Sequence, residues 1–327
     1  VWGDATLFLE AVESFDTETS YKERTDKNII LEQINADIEE AIRILPATGS
    51  STGKIERSRI NHASALAIQM DVLAWEHKYD KVVKLWEEQI SKLPTSLWAF
   101  TDFNSDEVND DNILKWRSIV FDGTTEKEIF FSVSYSNTEN GVNDTRNYFC
   151  ADGQRVVFSE DLRQAFNQEN DIRFRGTAKE YRDNNGELQL TAPYKVEKFW
   201  TLDNADQKNY LSENDLIMYR YSDLMLLYAE ALNQQNRGSE AIALINKTRT
   251  RAGLSELSAA NLPNKDAIAD AVLAERRLEL ICEGKYWFDV IRTGNAQRLA
   301  NCSEKRIVIP IHLDHLLQNT KLVQNQY

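Results

Sequence analysis

The 327-residue chain sets 38 Lys and Arg against 52 Asp and Glu, a formal net charge of −14, and 42% of it is apolar. Such an acidic excess repels phosphate backbones and argues against nucleic acid as a partner, while 12 Gly and 5 Pro argue against a β-sandwich, a collagen-like chain or disorder. No run approaches the roughly 18 apolar residues of a membrane-spanning helix, and the start, VWGDATLFLE, lacks the basic and apolar parts of a secretion signal, so the expectation is a water-soluble chain, either intracellular or missing its front.

Residues 1–27 are acidic, aromatic-tinged and weakly periodic, and read as a connecting segment that continues something absent. From Asn28, the stripe of Ile30, Ile34, Ile38, Ala41, Ile42 and Leu45 predicts a helix ended by Pro46 and Gly49. The loop ATGSSTGK that follows lacks both the spacing and the preceding strand of a phosphate loop. Helical spacing resumes at Ser58, where Ala63, Ala65, Ala67 and Ala74 let a neighbour approach closely, and after a turn at 77–79 a partner helix runs through DKVVKLWEEQISKLP. A second hairpin has a helix at 224–233 with the motif YAEAL, a turn at Gly238, and a return lined by Ala241, Ile245 and Thr248. Two hairpins of this size, with a third begun by 267–283, predict a mainly α chain: a tetratricopeptide-like helical-hairpin solenoid.

Residues 95–215 have another character, so the expected division is 1–94, 95–215 and 216–327, within one body. From Asp102 to Asp111 there are acids and no base, then a β-like run EIFFSVSY at 128–135, then polar loops with scattered aromatics. Loops rich in Asn, Asp, Gly and rings on a rigid scaffold commonly carry binding, and the ligand surface is expected here. The acidic run offers hard oxygen ligands for Ca²⁺ but lacks the spacing of a calcium loop. A solvated loop is the preferred reading, and no cofactor is expected.

The densest stretch is ERRLELICEGKYWFDVIRTG at 275–294. Glu275, Glu279 and Glu283 recur every four residues on one helix face, Leu278, Ile281 and Cys282 line another, and Gly284 stops the helix. Trp287, Phe288 and Ile291 follow at helical spacing, closed by Thr293 and Gly294. Two carboxylates at such spacing fall within range for glycoside cleavage. Structural locking is preferred, because Arg276, Arg277 and Arg292 stand near enough in sequence to neutralise the acids and lower their pKa values. Trp287 and Phe288 are expected to pack inward, with Asp289 part of the same lock. Three cysteines, Cys150, Cys282 and Cys302, have no disulfide or zinc spacing. His312 and His315 are preferred as surface or packing residues over metal ligands.

Several separated motifs together resemble the SusD/RagB family of outer-membrane nutrient-binding lipoproteins. DLIMYRYSDLMLLYAEALN at 215–233 with AIALINKTRTRAGL at 241–254 resembles a repeat hairpin of that family, 275–294 its helix corner, and IVIPIHLDHLLQNTKLVQNQY at 307–327 its tail. EIFFSVSY, FSEDLRQAFNQENDIRF at 158–174 and INADIEEAIRILP at 34–46 are similar to its middle and early segments. Family members are longer at the front, where they carry a secretion signal, a lipid-bearing cysteine and further helices.

The resemblance implies a non-enzymatic protein at the extracellular face of the outer membrane, lipid-anchored in its precursor. Such a protein binds glycan or oligosaccharide and passes it to a SusC-like TonB-dependent transporter. Sugars present C–H faces to flat rings and hydroxyls to polar side chains, which singles out Trp116, Tyr135, Arg146, Asn147, Tyr148 and Trp200. Tyr219, Arg220 and Tyr221 are read as packing residues. The alternatives are a peptide-binding lid of the same family, a glycosidase using the three glutamates, or a repeat scaffold for a protein partner.

Overall fold

Residues Tyr221–Gln234 form a helix with no polar face: every residue from Ser222 to Asn233 is buried, as expected of a helix packed on all sides. The computed structural model describes residues 3–13, 20–46, 57–102, 110–121, 126–135, 156–166, 170–177 and 215–326. In chain order the elements are α1 Lys27–Ile44, α2 His62–Trp75, α3 Tyr79–Glu88, α4 Asp110–Phe121, β1 Ile129–Val133, α5 Glu160–Ala165, α6 Ile172–Thr177, β2 Leu216–Arg220 and α7 Tyr221–Gln234. There follow α8 Gly238–Arg251, α9 Lys265–Glu279, α10 Tyr286–Arg292, α11 Ala296–Ala300, α12 Glu304–Ile307 and α13 Leu313–Gln318.

These elements fall into two compact units, Leu45–Tyr286 and Val1–Ile44 with Trp287–Tyr327. In the first, α2, α3, α8 and α9 all pack against α7. The α2–α3 and α7–α8 hairpins therefore share one core, although the expected boundaries at 94/95 and 215/216 lie between them. The small side chains Ala63, Ala65, Ala67 and Ala74 are buried in α2. Asn61 caps that helix, its side chain accepting from the Ser64 backbone at 3.0 Å while the Ser64 hydroxyl accepts from the Asn61 backbone at 2.7 Å. Trp86 of α3 stacks on Tyr228 of α7 with ring centroids 5.0 Å apart.

The turn between α7 and α8 differs from expectation. Asn236, not Gly238, takes the left-handed backbone with φ of 61°. Gly238 is needed for space instead, because a Cβ there would lie 2.7 Å from Ile268 Cδ1 of α9. The 275–294 corner also divides earlier than its pattern suggests: α9 ends at Glu279, and turns lead through Cys282, φ 63°, to Gly284, φ 74°.

In the second unit, the segment before α1 is zipped to the tail. Ala5 bridges Thr25, and Arg24 donates to the Asp4 carbonyl at 2.7 Å, the Val323 carbonyl at 2.8 Å and Asn325 Oδ1 at 2.5 Å. The run IVIPI forms no strand; Pro310 has no N–H to give a ladder, and the Gln324 side-chain amide satisfies both backbone groups of Ile311 at 2.8 Å. His312 caps α13 by accepting from the Asp314 backbone at 3.3 Å. Among the described residues no group of His, Cys, Asp and Glu is arranged to hold a metal ion, and no helix is long and apolar enough to cross a membrane.

Candidate functional site

β1 and β2 pair antiparallel, Ile129 opposite Arg220, Ser132 opposite Ile217 and Val133 opposite Leu216. Ile129, Ser132, Ile217 and Arg220 face the interior. Phe131 and Tyr219 are half-buried, while Val133 and Met218 are exposed. Ser132 donates to Asp215 Oδ2 at 2.9 Å, tying the strands together at the end where β1 runs out and β2 begins. Tyr135 stands half-buried at that end. Here the chain departs toward the middle region and, after Asp215, returns.

Beneath the ribbon lies a buried charge hub. Arg220 donates to Glu128 at 2.9 Å, Glu279 at 2.7 Å and Glu283 at 2.8 Å. Arg251 donates to Glu128 at 2.7 Å and Glu279 at 2.5 Å. Arg173 binds Asp171 at 2.8 Å, Glu275 at 2.6 Å and Glu279 at 3.4 Å. None of these side chains is more than 3% exposed. Ser222 adds its hydroxyl to Glu128.

Burial works to raise the Glu279 pKa, but Arg251, Arg220 and Arg173 outweigh it and hold the carboxyl well below its usual range. At Glu275 burial wins, and its pKa is raised despite Arg173; the expectation that all these acids would be lowered fails there, because Arg173 divides its charge among three carboxylates.

The helix-corner glutamates are locked, yet not by the arginines next to them in sequence. Arg276 donates to Asp223 Oδ1 at 2.7 Å and to the Asp223 carbonyl at 2.8 Å, while Lys285 binds the other oxygen at 2.9 Å. Those two cations hold the buried Asp223 carboxyl down to about 2, against a burial effect that alone would raise it. Arg277 reaches Asp161 at 2.5 Å and Arg292 binds Asp289 at 2.8 Å. Helix geometry accounts for this: side chains adjacent in sequence point to different faces, so the cations meeting Glu275, Glu279 and Glu283 had to arrive from α6, β2 and α8. A glycosidase built on these three acids is disfavoured, because Glu279 is held ionised and none of the three is open to a substrate.

Trp116 requires a correction. Its ring is fully buried with Ile119 and Ile172, the guanidinium carbons of Arg220 and Arg251 lie 5.5 and 5.6 Å from its centroid, and a Cβ on Gly176 would stand 2.3 Å from Trp116 Cδ1. No face is left for a sugar, since a ring spaced for a helical core is filled by that core. Trp287 is corrected the other way: it is 37% exposed and Phe288 45%, while α10 buries Asp289 and Arg292. Once that ion pair occupies the inner face, the aromatics must stand outside. Cys282 packs beside Leu278 and Ile281, as expected. Arg146, Asn147, Tyr148 and Trp200, with most of the acidic run 102–111, lie outside the described residues. Of the ligand candidates, Tyr135 alone is both described and not fully buried. Arg173, Arg220, Arg251 and Glu128 were not singled out as a lock, and the one available signal was an arginine within an apolar strand-to-helix run, MYRYSDLM.

The SusD family model matches residues 84–306. SusD-like protein P38 of Formosa agariphila is 26% identical over an alignment of 369 positions, covering 99% of this chain and 70% of the relative. A SusD superfamily protein from Bacteroides vulgatus superposes with a TM-score of 0.78 at 18% identity, over 99% of this chain and 73% of the other. Surface glycan-binding protein A from Bacteroides thetaiotaomicron, solved in complex with laminarihexaose, gives 0.71 at 18% identity, over 100% and 74%. At these identities the solved structures establish a common fold.

Proposed function

Because the chain belongs to the SusD family, we propose that it is a non-catalytic binding protein that captures a glycan or oligosaccharide at the outer face of the outer membrane and delivers it to a SusC-like TonB-dependent transporter. The family match across 84–306 carries this reading. The fold supports it: a helical scaffold, internally fixed by the buried hub, holds one end of a ribbon from which the ring-bearing middle segment departs and to which it returns. Stacking of sugar C–H faces on Tyr135, Tyr148 and Trp200, with Arg146 and Asn147 at the rim, gives modest affinity and the fast release that handover needs. A lipid anchor belongs to the same proposal.

The test is electrophoresis of the native protein through gels containing individual polysaccharides, followed by calorimetry with any that retards it. Retardation by at least one, weakened about tenfold by Trp200→Ala or Tyr148→Ala, is expected; about 1.4 kcal/mol per ring corresponds to that factor. A peptide pool co-purifying with the protein, with no retardation by any glycan, would replace the reading with a peptide-binding lid.

A further inference from the structure

Residues 156–166 and 170–177, which carry α5 and α6, belong by sequence to the chain between β1 and β2, yet they are held on the scaffold at several points. Phe158, Leu162, Phe166 and Phe174 pack with Leu278, Ile281 and Cys282 at the end of α9 and just past it. The Ile172 N–H donates to the Ala252 carbonyl at 3.1 Å, and Arg117 Nε of α4 donates to the Gly176 carbonyl at 3.0 Å. Arg173 makes the charged part of the joint. Asp171 holds it from within its own segment, accepting from Nε at 2.9 Å, from Nη2 at 2.8 Å and from the Arg173 backbone N–H at 2.9 Å. That leaves Nη1 to cross to α9, where it meets Glu275 at 2.6 Å and Glu279 at 3.4 Å. A guanidinium forked in this way is a directional tie, with its cation on the inserted segment and Glu275 and Glu279 on the scaffold.

We infer that this segment is a clasp, pinning the chain between the two strands partway along its length, and that Arg173 is a positioning residue for binding although it meets no ligand. In its bearing on binding, the inference rests on the function proposed above. With the clasp undocked, 136–214 is one span of 79 residues tethered at the ribbon; docked, it is divided into 136–155 and 178–214, spans of 20 and 37 residues each fixed at both ends. Effective concentration falls roughly as the −3/2 power of span length, so undocking dilutes the first span about eightfold and the second about threefold at a shared ligand. Tyr148 falls in the first span and Trp200 in the second, and one sugar chain stacks on both only if both are presented together.

The test sets Arg173→Met against Glu283→Gln. Both weaken the buried hub, but Glu283 pairs with Arg220 at 2.8 Å, on the scaffold side. Affinity for each polysaccharide that retards the parent protein is measured by calorimetry well below both melting temperatures. Arg173→Met is expected to lose about three- to eightfold and Glu283→Gln less than about twofold. Amide hydrogen exchange in Arg173→Met is expected to quicken at 156–177 while that of α7 holds. Should Arg173→Met fail to fold, Phe166→Leu, which thins the ring cluster of the clasp, gives the same contrast at smaller amplitude. Equal losses in the two variants, or undiminished affinity in Arg173→Met, would overturn the positioning role. Exchange that quickens throughout α7 as well, or nowhere, would overturn the clasp. If no polysaccharide retards the parent protein, the proposed function falls by itself, and the exchange measurement still decides the clasp.

Discussion

Glu279→Ala tests the hub most directly. The Glu279 carboxylate is fully buried and takes donors from Arg220, Arg251 and Arg173. Each arginine keeps another acid when Glu279 is removed: Glu128 and Glu283 for Arg220, Glu128 for Arg251, Asp171 and Glu275 for Arg173. The cost is therefore that of one broken buried pair rather than three stranded charges, about 3–5 kcal/mol. At about 2–4 °C per kcal/mol for a unit of this size, the melting temperature should fall by roughly 10 °C. Glu88→Ala is the control: its partner Lys84 is 3.9 Å away, both side chains are more than 60% exposed, and the loss should stay below about 0.5 kcal/mol. Scanning calorimetry, checked by urea midpoints, reads both. A Glu279→Ala protein melting within about 2 °C of the parent would show that the hub's acids do not hold the scaffold together.

Acid titration should reveal the same charges. Glu279 and Asp223 have folded pKa values below their unfolded ones, 4.5 and 3.8; their stabilisation is complete above those values and is lost as pH falls, for Asp223 down to about 2. Asp223→Asn should flatten that acid limb in unfolding measurements between pH 4 and pH 2. Glu275 has the opposite sign: its folded pKa lies above 4.5, so its contribution is greatest below 4.5 and declines as pH rises past the folded value. Glu275→Gln should consequently cost much less at pH 7 than Glu279→Gln, as read by the difference in urea midpoint. Gly176→Ala, whose methyl would overlap the Trp116 ring, should destabilise by about 1–3 kcal/mol with a change in near-ultraviolet circular dichroism. Tyr135→Ala should weaken glycan binding while leaving the melting temperature nearly unchanged; a large thermal loss with intact binding would place the ring in the core.

Much of the scaffold could be read from spacing alone. The alanines of α2 and the YAEAL helix are buried as their small and apolar side chains suggested, and the two glutamates of α9 share one face at a spacing of four. Partnership across the chain is what periodicity does not carry. Arg173 and Glu279 are 106 positions apart, and Arg251 and Glu128 are 123 apart, and nothing local distinguishes these arginines from Arg276 or Arg292. Aromatic rings pose the same difficulty, since Trp116 and Trp287 are the same residue type, yet the first is fully buried and the second 37% exposed. Which face a ring takes is decided by what else competes for the interior: at α10 an ion pair took it, and at α4 a glycine on α6 made room.

The ribbon has a consequence for how such proteins diversify. Val133 is paired with Leu216, and Ser132 is bonded to Asp215, so the register of the two strands is set between themselves. Lengthening, shortening or replacing stretches between Tyr135 and Asp215 that lie away from α5 and α6 leaves that register untouched, and Arg220 still reaches its acids. Under the proposed function, mutation can then rewrite the segment assigned to recognition while selection on folding acts elsewhere, which would let one scaffold acquire new cargo without being rebuilt.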